Sequence, residues 1–408
     1  MKRNTWSLVI LLIIVSFFFV AGSSHAQSVK VLKVGSVLPL NMGMGVDTKN
    51  ALEMLASDFN AAGGIVIKGQ KYNVQMIVYD DKYVAETGRA ALERLIYQDG
   101  AKYVISTISS ATILSGLALF EQEKILNLPS CATPGILDPK LHYTLGSSSV
   151  RTSLPPIWTA AKKLWPNAKT VVFLSPNDEG GKSRAAEEKQ VAESFGLKVL
   201  DTLYYARTTT DFSSLALKAK SYNPDLIDYP GADSGTPLGL QLKAIYAAGF
   251  RGGQISANAP KMTEVKAVAS KEALEGLLAK MGDTELSNPP AVAKAFRERY
   301  TKVYGKWSEA SLAWIPAWFA LIEAMKKADS VDPTVIADYL KKNGLEWQRV
   351  DGKARFIKRP DQKNTQYCDA IAEAQYGLVK NGEMIPVSRL TVPEVLAACE
   401  KVLGSGLK

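Results

Sequence analysis

The chain has 408 residues, 47% hydrophobic and 22% charged, with a formal net charge of +9. That is enough for two domains with proper cores, and the composition is that of an ordinary globular protein rather than a disordered or fibrous one. Its lysines and arginines are spread along the chain instead of forming an aromatic-interleaved basic stripe, which argues against nucleic acid as a partner.

Residues 1–26 read as an export signal. Lys2 and Arg3 make a basic start, Leu8 to Val20 is apolar apart from Ser16, and Ser24-His25-Ala26 supplies small residues before a cleavage point at Gln27. The apolar run is shorter than the ~20 residues that span a bilayer, so the expectation is an exported chain cleaved after Ala26 rather than an anchored one. The first strand then ends in the loop Pro39-Leu40-Asn41-Met42-Gly43-Met44-Gly45. A helix follows, closing on Asn60-Ala61-Ala62-Gly63-Gly64, and a second strand closes on Tyr79-Asp80-Asp81. Two further strand ends carry small polar clusters, Ser106 to Thr112 and Leu128 to Pro134. Strand alternating with helix builds a parallel sheet whose ligand crevice lies outside the carboxyl ends of the strands.

The alternation continues in a second doubly wound unit. Strands are predicted at Thr170–Leu174, Val199–Tyr204, Leu226–Tyr229 and Gln254–Ser256, with helices at Ser183–Phe195, Phe212–Ser221 and Leu238–Ala248. After Gly276 the pattern turns helical: Ala291–Tyr304, Leu312–Lys327 and Thr334–Lys342, the last with Pro333 in its first turn. The stripe of Trp314, Trp318 and Leu321 is read as core. Trp347 to Pro386 gives short strand-like pieces, and Pro393 to Leu403 a closing helix. Of the cysteines Cys131, Cys368 and Cys399, export permits a Cys368–Cys399 disulfide, which spacing alone does not establish.

The chemistry of an enzyme is missing. Beyond the signal only His142 remains, which limits His-based metal sites and Ser-His or Cys-His catalysis. There is no P-loop, no nucleophile elbow and no CxxC, and Gly43-Met44-Gly45 lacks the third glycine of a dinucleotide fingerprint. Asp80-Asp81 and Asp178-Glu179 read as solvated turns. No catalytic residue, metal or cofactor is expected.

These motifs resemble the periplasmic binding proteins of the leucine/isoleucine/valine type of ABC transporter. The likeness spans nearly the whole mature chain, from the Leu-Pro-Leu turn through Ala132-Thr133-Pro134 to Asp211-Phe212-Ser213, Ala247-Ala248-Gly249 and Glu275-Gly276-Leu277. It implies an α/β chain of two doubly wound Rossmann-like lobes joined by a three-strand hinge, the type I periplasmic binding protein fold. The expected lobes are 27–148 plus 277–350 and 149–276 plus 351–408, with crossovers near Ser148, Gly276 and Asp351. The implied function is a periplasmic, monomeric receptor that closes on a small carboxylate and presents it to an inner-membrane permease with its ATPase subunits. A sensory module of the same fold acting on a signalling partner is the alternative.

The resemblance also assigns a site. Ser110, Cys131 and Thr133, with Ser109 beside them, fall where the family holds the ligand carboxylate, and hydroxyls with peptide N–H groups suit an anion in a dry cleft. Asn258 or Ala259 falls where the family carries its ammonium-binding glutamate, Met44 where it often carries an aromatic, and Glu179 where it has a tyrosine. Glu179 or Asp233 could supply the lost negative charge. Without it the expected ligand shifts from an amino acid towards an organic or aromatic acid, because a buried ammonium is costly to leave unpaired.

Overall fold

A computed structural model describes residues 28–148, 151–308 and 310–408; the signal segment of residues 1–26 lies outside the described residues. The chain opens with β1 (Lys30–Leu38), whose last five residues are all buried. Such a two-sided apolar run marks a central strand of a parallel sheet. It is followed by α1 (Gly43–Ala61), β2 (Ile65–Ile67), β3 (Gln70–Asp80), α2 (Ala85–Glu93), β4 (Tyr103–Ile105), α3 (Ser110–Glu123) and β5 (Leu126–Leu128). The sheet order is β2-β3-β1-β4-β5, parallel except for the β2–β3 pair. With β3 on one side of β1 and β4 on the other, the topological switch point falls at the end of β1, where a ligand crevice forms. The turn there depends on Gly45, since a Cβ at that position would come within 2.1 Å of the Pro39 carbonyl oxygen.

The second lobe runs α4 (Leu154–Leu164), β6 (Thr170–Pro176), α5 (Glu179–Ser194), β7 (Lys198–Tyr205), α6 (Ser213–Ser221), β8 (Leu226–Asp228), α7 (Thr236–Ala247), β9 (Gly253–Ser256), α8 (Met262–Val268), α9 (Lys271–Leu274) and β10 (Leu277–Lys280). Its parallel strands follow the order β10-β9-β8-β6-β7, so the switch point lies between β6 and β8. Because β10 pairs with β9, the crossing expected at Gly276 falls after Lys280 instead. The four residues of β10 carry no period that separates strand from helix; pairing decides.

The chain then returns to the first lobe. α10 (Ala291–Tyr304), α11 (Ala310–Trp314), α12 (Pro316–Ala328) and α13 (Pro333–Asn343) follow, and Phe296, Tyr300, Trp318, Leu321 and Leu340 pack with the first-lobe strands. The single helix expected over Leu312–Lys327 is broken at Ile315, because Pro316 starts a new helix where its missing N–H is tolerated. An antiparallel sheet of β11 (Glu346–Arg349), β12 (Gly352–Arg359) and β13 (Asn364–Ala372) carries the chain back. On it Ala354 and Phe356 pack with the first core, while Ile357 and Ile371 pack with the second. Finally β14 (Ala374–Lys380) and β15 (Glu383–Leu390) extend the second sheet and α14 (Val392–Leu403) closes the lobe.

Where the strands cross between lobes, Asp369 on β13 is fully buried between Arg151 and Arg359, 2.6 Å from the latter. Burial opposes the charge of both arginines, yet Asp369 and, for Arg359, Asp361 raise their pKa values. Arg151 also donates to the Cys131 carbonyl oxygen. All three cysteines are free and buried. The Cys368–Cys399 pairing is not formed because the two face different cores: Cys368 packs in the first lobe with Cys131, and Cys399 sits in the second, its thiol against the Thr152 carbonyl oxygen. Among the described residues, no helix is long and apolar enough to cross a membrane.

Candidate functional site

The carboxyl ends of both sheets meet across a cavity of about 50 Å³, room for a handful of water molecules or a compact solute. The strand ends of the first lobe supply Met44 after β1, Tyr83 after β3, Ile108 and Ser110 after β4, and Cys131 and Ala132 after β5, with Trp314 closing the wall from α11. Those of the second supply Gly180 and Arg184 after β6, Arg207 after β7, Gly231 and Ala232 after β8, and Asn258 after β9. Both α3 and α5 begin at this cavity, so two helix N-termini, each with its partial positive charge, flank it from opposite lobes.

The first-lobe wall is held in an unusual backbone. Lys82, Tyr83 and Ser106 have φ of 51°, 62° and 59°, in the left-handed region that non-glycine residues rarely enter. Fully buried Asp81 holds that turn, accepting from the Tyr83 N–H at 2.8 Å and the Thr112 hydroxyl at 2.7 Å. Burial raises the Asp81 pKa against these two hydrogen bonds. It also pushes the Cys131 thiol up to about 11, which keeps it protonated near neutral pH.

The second-lobe wall is cationic. Arg207 donates to Asp178 at 2.6 Å and lies 4.8 Å from the Tyr83 ring centroid, a cation–π contact that joins the lobes. Arg184 is 3% exposed, 3.4 Å from Glu188 and within 3.3 Å of the Ser153 hydroxyl in the first crossing segment. Glu188 and Asp228 are both fully buried and close together, and burial raises both pKa values. No carboxylate of the described residues lines the cavity.

Of the residues expected to form the site, Met44, Ser110, Cys131 and Asn258 line it. Ser109 caps α3, accepting from the Thr112 N–H at 3.3 Å, and Thr133 caps a short helical turn, accepting from the Gly135 N–H at 3.2 Å. Neither borders the cavity. Glu179 is exposed and takes the Ser183 hydroxyl at 3.0 Å, while half-buried Asp233 takes the Gly235 N–H at 3.2 Å. Neither carboxylate borders the cavity. The Asn258 amide donates to the Ala232 carbonyl oxygen at 3.0 Å. Trp314, read as core with Trp318 and Leu321, borders the cavity, whereas the other two are core. Tyr83, Arg184 and Arg207 were not expected; an arginine four residues before a glutamate reads from sequence as a solvated helix pair.

Two α/β lobes on a three-segment hinge, with both sheets aimed into one cleft, define a hinged solute-binding protein. Residues 33–377 match the family described as periplasmic binding protein, and the chain belongs to it; within it, this is a type I protein of the branched-chain amino acid group. It is 25% identical over 352 residues to the Leu/Ile/Val-binding protein of Escherichia coli (strain K12), covering 84% of this chain and 90% of that one. The crystal structure of a leucine binding protein from Thermotoga maritima superposes with a TM-score of 0.69 at 21% identity, over 89% of this chain and 99% of that one. A solute binding protein of an ABC transporter from Rhodopseudomonas palustris BisB5, in complex with 3,4-dihydroxy benzoic acid, gives 0.68 at 18% identity, over 88% and 97%.

Proposed function

We propose that the protein is the periplasmic substrate-binding component of an ABC uptake transporter, and that it closes on a compact organic or aromatic acid rather than on an amino acid. The observation that carries this is the charge of the cavity wall. A bound amino acid brings an ammonium that needs a carboxylate, and here Asn258 stands with Arg184 and Arg207 instead. On the first lobe, Ser110 and the peptide N–H groups around Cys131 take the ligand carboxylate, with Ser109 and Thr133 shaping the turns that present them. Met44, Ile108 and Trp314 offer an apolar surface for the body of the ligand.

The lobes swing on the three crossings and close over the solute, and the closed form delivers it to the permease and its ATPase partners. The protein acts as a monomer without chemistry of its own. Thermal unfolding of ligand-free protein against amino acids, aliphatic carboxylates and aromatic acids tests the reading, since a ligand of the folded state raises the midpoint by mass action. A shift with acids that lack an amine supports it. A larger shift with leucine, isoleucine or valine overturns it.

A further inference from the structure

We propose that the ligand carries a second acidic group at its far end, held by Arg207 and Arg184, so that the solute is a compact diacid spanning both lobes. This rests on the carboxylate reading above and names its ligand more closely. A single carboxylate is already provided for on the first lobe by Ser110 and the start of α3. It gives no reason for the opposite wall to carry two guanidinium groups beside the start of α5.

Burying an arginine is expensive, and each of these is held by counter-charges set back from the cavity. Asp178 takes the Arg207 Nε, leaving its terminal nitrogens to long contacts of 3.3 and 3.4 Å with the Gly231 carbonyl oxygen. Glu188 pairs with Arg184 through its Nε from four residues further along α5. Asp228, a second fully buried carboxyl, lies close to Glu188. The planar fork of arginine suits a carboxylate better than any other side chain. The two lobes approach closely here, a Cβ on Gly180 lying 3.6 Å from the Ser110 hydroxyl, so the diacid is a compact one.

The test is isothermal titration of the mature protein with matched pairs, butyrate against succinate and benzoate against terephthalate. Within at least one pair the diacid binds more tightly by about 10- to 100-fold, the range of one charge-assisted hydrogen-bond pair. The R207Q variant, checked for a folded circular dichroism spectrum because Arg207 is only 16% exposed and pairs with Asp178, abolishes that preference, the diacid losing more affinity than its monoacid partner. Arg184 is buried on Glu188, so its test is the double variant R184Q/E188Q, checked for a folded circular dichroism spectrum and expected to act in the same direction. Equal or tighter binding of the monoacids overturns the inference while leaving the carboxylate reading intact, as does an R207Q variant that weakens both members of a pair alike. If no carboxylate of either kind binds, both readings fall together.

Discussion

Lys261 and Asp47 form an ion pair 2.9 Å long that joins the second lobe to the first, with the two side chains only 8% and 7% exposed. Asp47 lies on α1, close to the turn that Gly45 permits, and it also accepts from the Ser308 hydroxyl at 2.7 Å. Lys261 lies just before α8 and pairs with Glu264 at 2.6 Å. Burial works against the charge of Lys261, but Asp47 and Glu264 outweigh it and raise the pKa.

This pair exists only while the lobes are together, so removing it acts on closure rather than on folding. Substituting K261M leaves Asp47 buried against Ser308 in the closed form, whereas opening returns it to water. Leaving one member of a buried pair is strongly unfavourable, about 3–5 kcal/mol in the general case, and a ligand must overcome whatever part of that falls on the closed state. The expected result is a ligand affinity at least about tenfold weaker, with solution scattering showing a larger radius for the ligand-free protein. D47N/K261M, which leaves no orphan charge, recovers part of the loss. An unchanged Kd in K261M would mean that the pair is a bystander.

At the hinge the charges are arranged differently. Asp369 is one carboxylate against two buried arginines, Arg151 and Arg359, and Arg151 in turn holds the Cys131 carbonyl oxygen of the cavity wall. D369N retains the shape but leaves two guanidinium groups short of charge. We expect a loss of about 3–5 kcal/mol in urea unfolding, together with weaker ligand binding because the Cys131 turn loses its tether. A variant as stable as the wild type would show that Asp361, 2.8 Å from Arg359, suffices to neutralise the hinge.

The parts of this architecture legible in the sequence are those set by short-range pattern. The apolar run of β1, the small polar residues at the ends of β4 and β5, and the amphipathic spacing of α10 and α13 each follow from local chemistry. Ser110, Cys131 and Asn258 lie at the cavity because they sit at strand ends, where the fold places its crevice. What stayed hidden depends on packing between elements distant in sequence and on the direction of turns. Arg184 and Glu188 have the spacing of a surface helix pair and become a buried element only when Ser153, Trp158 and Asp228 close around them. Glu179 and Asp233 had the right charge in the right loops, but they accept from Ser183 and Gly235 and neither borders the cavity. Sequence order cannot show which way a turn points its side chain.

The pair of buried carboxyls behind Arg184 gives a pH signature. Burial raises the pKa of Asp228 well above its ordinary value, and the neighbouring Glu188 adds to the rise. The folded protein therefore keeps a proton that the unfolded chain releases near pH 4. Since the folded state binds more protons, stability is fully present below the unfolded pKa and falls as pH rises towards the folded one, by up to about 1.4 kcal/mol per pH unit for one such group. D228N keeps the shape of the side chain without a second charge, and Glu188 is left to pair with Arg184 at 3.4 Å. The expected outcome is a variant that matches or trails the wild type near pH 4 and gains on it steadily as the pH is raised, the gain levelling off once the wild-type Asp228 has ionised. Urea midpoints measured at intervals from pH 4 to pH 8 report this directly. A constant difference across that range would mean that Asp228 is ionised throughout, and that Arg184 faces two full negative charges.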